Sequence, residues 1–122
     1  MNKKLRLLVV EDHEILRAGI CSLLKQEEDL EIIDAVCDGK QACDSANKLQ
    51  IDLILMDLSM PNTNGTEAIE SIKTRHPDIK IIALTIHNNE EYIRAAFRAG
   101  ANGYVLKDDS CDELLIAIKS VA

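Results

Sequence analysis

Apolar runs alternate along the whole chain with stretches in which apolar residues recur at helical spacing. Leu5–Val10 (LRLLVV) reads as a first strand, and Ile15, Leu16, Ile20, Leu23 and Leu24 then mark one face of a helix. Leu30–Val36 (LEIIDAV) reads as a second strand. Asp38 with Gln41 three residues on is a helix-start signature, and Ala42, Ala46 and Leu49 form the inner face that follows. Residues 51–56 (IDLILM) predict a third strand, and Asn64 with Glu67 opens a helix carrying Ala68, Ile69 and Ile72. Residues 79–84 (IKIIAL) predict a fourth strand. Asn88 with Glu91 then precedes Ile93, Ala96 and Phe97, the last a core residue by its spacing. Residues 101–106 predict a weaker fifth strand. Ser110 with Glu113 starts a last helix with the stripe Leu114, Leu115, Ile118 and Val121.

Five β–α units in succession imply an α/β fold, with a parallel sheet, right-handed crossovers and helices on both faces. The third and fourth strands are near-continuous apolar runs, as strands covered on both faces should be. Five units cannot close an eight-stranded barrel, so the sheet is open and doubly wound. Ligands of such sheets sit beyond the carboxyl ends of the strands.

Composition narrows the partners. The chain has 122 residues, one domain's worth, of which 47% are apolar and 29% charged, too apolar for disorder. Its net charge of −7 argues against gripping a nucleic-acid backbone or an anionic membrane surface. The apolar run Leu7 to Val10 stops at Glu11 and Asp12, too short for a signal peptide, and no run approaches a membrane span. Cys21, Cys37, Cys43 and Cys111 form no Cys-x-x-Cys, and His13, His76 and His87 show no metal-ligand spacing with them. Reduced thiols in a cytoplasmic protein are the expectation.

The carboxyl ends of the predicted strands carry the candidate chemistry. Glu11 and Asp12 follow the first strand, Asp57 the third, Thr85 the fourth and Lys107 the fifth. Taken singly, each reads as a cap, a strand-end residue or a surface lysine. Together they would bring three carboxylates and one ammonium to one edge, a net −2. Clustered carboxylates repel, and a hard divalent cation such as Mg²⁺ with oxygen ligands would relieve them. The set is suited to phosphoryl transfer: carboxylates for a metal, a carboxylate nucleophile, and a Lys and a hydroxyl for the phosphoryl oxygens.

Val-Glu-Asp at 10–12, Met-Asp-Leu-Ser-Met-Pro at 56–61 with Gly65, Leu-Thr at 84–85 and Lys107 span the chain in order. This set resembles the motifs of response-regulator receiver domains, the CheY-like domains of bacterial two-component signalling. The resemblance implies a flavodoxin-like sheet of order 2-1-3-4-5. It implies Asp57 as phospho-acceptor, and Mg²⁺ held by Asp12, Asp57, Glu11 directly or through water, and the backbone carbonyl of Ser59. Thr85 would bond the phosphoryl group, Lys107 would pair with it, and Tyr104 would be the switch aromatic. Ser59 and His87 match positions that tune hydrolysis of the acyl phosphate.

The partners implied are a sensor histidine kinase and, on phosphorylation, a second copy of the chain, through the fourth-helix to fifth-strand face or the face of the first and last helices. Such a domain is not a conventional enzyme, since it catalyses only its own phosphoryl transfer and dephosphorylation. Glu-Asp-His-Glu-Ile-Leu-Arg-Ala-Gly at 11–19 and Leu-Lys-Asp-Asp-Ser at 106–110 are similar to the LuxR/NarL subfamily. That subfamily carries a C-terminal helix-turn-helix domain, so the expectation is a receiver domain over 1–122 whose DNA-binding effector half is absent from this chain. Asp108 stands where the family often has a cis-proline, so a trans peptide is expected there. The rival readings are a phosphorylation-independent binding module, a stand-alone receiver in a phosphorelay, a flavin carrier and an aspartyl phosphatase. Glu11 and Asp12 would repel a flavin phosphate. The phosphatase pattern Asp-x-Asp-x-Thr is not met, because Asp57 is followed by Leu58 and Ser59.

Overall fold

The computed structural model describes residues 4–58, 65–86, 89–107 and 111–122, without the side chain of Cys111. Five strands and five helices alternate: β1 (Leu5–Val10), α1 (Glu14–Leu24), β2 (Leu30–Val36), α2 (Gly39–Lys48), β3 (Leu53–Asp57), α3 (Gly65–Arg75), β4 (Lys80–Thr85), α4 (Glu90–Ala99), β5 (Gly103–Leu106) and α5 (Cys111–Val121). All strand pairs are parallel, in the order β2-β1-β3-β4-β5, which matches the expected topology.

Alternation along each strand divides the core into two layers. Leu8, Val10, Ile54, Met56, Ile81 and Ala83 face one side, with Ala42, Ala46, Ile69, Ile72 and Ala96 from α2, α3 and α4. Leu7, Val9, Leu53, Leu55, Ile82 and Leu84 face the other, with Leu24, Leu114 and Ile118 from α1 and α5. Because both faces are covered, the central strands need apolar residues at every position, hence the unbroken runs in the sequence.

Strand boundaries shift by a residue or two for local reasons. β3 starts at Leu53 because the carboxylate of Asp52 turns back to accept from the Arg6 amide at 2.9 Å. β5 starts at Gly103 because Gly100 adopts φ 121° and Asn102 accepts from the Ile81 amide through its side chain at 3.0 Å. Asp38 caps α2 as predicted, accepting from the Gln41 amide at 2.8 Å, while Gln41 reaches back to the amide of Cys37. The cap of α4 is Asn89, which accepts from Tyr92 at 2.9 Å, one residue later than the sequence pattern suggested. Asn64, Asn88, Ser110 and the expected trans peptide at Asp108 lie outside the described residues.

Three predicted core positions are corrected. Phe97 is 46% exposed, because α4 turns the small Ala96 and Ala99 toward the sheet and leaves the ring at its flank. Ile15 is 82% exposed in the first turn of α1, whose one buried residue is Leu24 at its far end. Leu49 leaves the face of α2 because it caps that helix in an extended conformation. Cys21, Cys37 and Cys43 are free thiols, and among the described residues no helix is long and apolar enough to cross a membrane.

Candidate functional site

Parallel pairing aligns the carboxyl ends of four strands. Val10 is paired with Met56, Asp57 with Leu84, and Thr85 with Leu106. The ladder runs on past the strand ends: Leu58 donates to the Leu84 carbonyl at 2.8 Å and Lys107 to the Thr85 carbonyl at 2.8 Å. Glu11, likewise, donates to the Val36 carbonyl at 3.0 Å. The backbone therefore delivers Glu11, Asp57, Thr85 and Lys107 to one rim, 96 residues apart in sequence at the extremes.

Glu11, Asp57 and Thr85 are fully buried, and Asp12 is exposed. Each of Glu11, Asp12 and Asp57 presents a carboxylate oxygen, and these oxygens lie within 4.8 Å of one another. Lys107 enters from β5 with its Nζ 2.9 Å from Glu11 Oε1 and 3.0 Å from Asp57 Oδ1. The other oxygen of Glu11 accepts from the His13 amide at 3.0 Å, so Glu11 also serves the start of α1. Arg17, which the sequence reading did not single out, donates from Nη1 to the carbonyl oxygen of Glu11 at 2.9 Å.

The electrostatics follow from this crowding. Burial pushes the Glu11 carboxyl up to about 7; the His13 amide and Lys107 hold it back in part, and Asp57 adds to the rise. Burial also works against ionisation of Asp12 and of Lys107. Hydrogen bonding with Glu11 and Asp57 nevertheless holds Asp12 below the usual carboxylate range, and the same two carboxylates hold Lys107 above the usual lysine range. An all-oxygen donor set with three carboxylate oxygens within 4.8 Å of one another fits a small hard dication such as Mg²⁺.

Tyr104 is half-buried and packs on the layer of α2, α3 and α4, paired with Ala83 on the neighbouring strand. Thr85 lies two residues beyond Ala83, so strand alternation turns it to the same face as Tyr104. Ser59 and His87 lie outside the described residues. Glu11, Asp12, Asp57 and Lys107 come together as expected; Thr85 joins their rim, and Tyr104 lies behind it. The burial of Glu11 was not legible in advance, since Glu-Asp after a strand can equally cap a helix in solvent.

The family described as the response regulator receiver domain matches residues 7–119. The transcriptional regulatory protein DegU of Brevibacillus brevis is 37% identical over 119 residues, 98% of this chain and 50% of that protein. The nitrate/nitrite response regulator protein NarL of Escherichia coli K12 is 34% identical over 116 residues, 95% of this chain and 54% of that protein. The chain thus spans about half the length of these curated relatives. A two-component response regulator of the LuxR family from Aurantimonas sp. SI85-9A1 superposes with a TM-score of 0.92 at 29% identity, over 98% of this chain and 85% of that one.

Proposed function

The chain belongs to the response-regulator receiver family and is related to LuxR/NarL regulators, and from that premise we propose that Asp57 accepts a phosphoryl group from a sensor histidine kinase. The observation that carries the proposal is the buried Asp57 carboxylate 3.0 Å from Lys107 Nζ, with Glu11 and Asp12 oxygens within 4.8 Å. Glu11, Asp12 and Asp57 would hold Mg²⁺, which when bound offsets charge on the phosphoryl oxygens. An Asp57 oxygen attacks phosphorus as the P–N bond of the donor phosphohistidine breaks. The imidazole nitrogen leaves with the bonding pair and takes up a proton. Lys107 offers its ammonium to the transferred group, and the Thr85 hydroxyl donates to a phosphoryl oxygen. The chain acts as a phospho-acceptor that catalyses its own modification and its hydrolytic reversal.

Phosphorylation would act as a switch by drawing Thr85 toward the phosphoryl group. Tyr104 lies on the same face beside the small Ala83, and would repack into the space Thr85 leaves. The phosphoryl group thereby favours one of two packings of the face between α4 and β5. In a longer protein of the DegU and NarL kind, that change would control dimerisation and a C-terminal DNA-binding domain. Expected on treatment with acetyl phosphate is one Mg²⁺-dependent phosphoryl adduct by intact-protein mass, absent from Asp57→Ala. No adduct in the unmutated chain at saturating Mg²⁺ would overturn the proposal in favour of a phosphorylation-independent binding module.

A further inference from the structure

The loop that carries Glu11 and Asp12 is held by a side chain from outside the acidic cluster. Arg17 lies in the second turn of α1, half-buried, and its backbone amide makes the ordinary helical bond to the His13 carbonyl at 2.8 Å. Its guanidinium reaches back beyond the helix start and donates to the carbonyl oxygen of Glu11 at 2.9 Å. That oxygen belongs to the peptide joining Glu11 to Asp12. Holding that oxygen fixes ψ of Glu11, the torsion that sets where the planar peptide delivers Asp12 and its side chain. Glu11 has further restraints, from the His13 amide and Lys107. Asp12 is exposed, and its carboxylate reaches the cluster only from where the Glu11–Asp12 peptide delivers its backbone.

We propose that Arg17 is a positioning residue for the acidic pocket, clamping the Glu11–Asp12 peptide so that the Asp12 carboxylate stands at the cation site beside Glu11 and Asp57. The proposal rests on the receiver reading of that site. Arg17 touches neither the cation nor the phosphoryl group; it acts through the backbone. A charged donor on a neutral carbonyl is a strong anchor, and outer-shell partners of this kind commonly set metal affinity by ten- to a hundredfold.

The test is calorimetric titration of MgCl₂ into the whole chain and its Arg17→Gln and Arg17→Lys variants. It is paired with the rate of acetyl phosphate adduct formation as a function of Mg²⁺. Gln is about as good a helix former as Arg, so α1 is kept. Arg17→Gln is expected to weaken Mg²⁺ binding about tenfold or more, and to raise the half-saturating Mg²⁺ by more than it lowers the saturated rate. Arg17→Lys retains a cationic donor and should recover most of the affinity. A purely structural arginine would lower the melting temperature in metal-free buffer and leave the half-saturating Mg²⁺ where it was; that result overturns the proposal. Equal loss in the Lys and Gln variants would also overturn it. If the unmutated chain neither binds Mg²⁺ nor forms the adduct, the receiver reading itself fails.

Discussion

Replacing Glu11 by Gln should stabilise the metal-free protein above neutral pH, although it removes one side of an ion pair. Glu11 is fully buried, and its carboxyl titrates at about 7 rather than at 4.5. Below 4.5 it is protonated in both the folded and the unfolded chain and has no net effect. Between 4.5 and 7 the unfolded chain releases this proton and the folded chain keeps it, so stability falls as pH rises. Above 7 the full penalty is present. At about 1.4 kcal/mol per pH unit it amounts to about 3 kcal/mol. A glutamine has no proton to lose, but its single acceptor cannot serve both the His13 amide and Lys107, which costs about 1 kcal/mol. The net expectation is a variant about 2 kcal/mol more stable than the parent at pH 8, and no more stable than it at pH 5. Urea denaturation in EDTA from pH 5 to 8.5 measures this. Saturating Mg²⁺ should reverse the order, since binding to the folded state at a hundred times Kd adds about 2.7 kcal/mol to the parent and less to the variant. A parent that is the more stable of the two at pH 8 without metal, by a margin independent of pH, would refute the reasoning.

Two further substitutions probe the same rim. A Cβ at Gly65 would lie 2.7 Å from Leu58 Cδ2, 2.9 Å from Leu58 Cα and 3.0 Å from the Asp57 carbonyl oxygen. Gly65→Ala must therefore move the backbone that carries Asp57, and should lower stability by about 1–3 kcal/mol and slow adduct formation; thermal melts and timed mass spectra with parental values would contradict that. Lys107→Met leaves Glu11 and Asp57 buried without the cation between them. At pH 8 the loss should be about 3–5 kcal/mol, and it should shrink toward pH 6 as Glu11 takes up a proton; denaturation curves with no pH dependence in this difference would exclude a charge-based origin.

Much of this architecture was written in short-range pattern. The runs at β1, β3 and β4, the helical stripes between them and the cap at Asp38 depend on residues within a few positions of one another, and that spacing is visible in one dimension. Successive β–α units then dictate parallel pairing, which alone is enough to send Glu11, Asp57, Thr85 and Lys107 to one edge. The order of the strands came from resemblance to a family, since alternation does not say which strand lies beside which.

What the tertiary structure decided is set by register and packing. Small Ala96 and Ala99 took the inner face of α4 and left Phe97 outside, although its spacing marked it as core. The burial of Glu11, the approach of Lys107 to two carboxylates across 96 and 50 positions, and the reach of Arg17 to a backbone carbonyl are distances in space. The sequence by itself determined which side chains could meet at the rim. Burial and register determined which of them lie within hydrogen-bond reach and how strongly their charges act, because the energy of a charge depends on its distance from others and on the water it has lost.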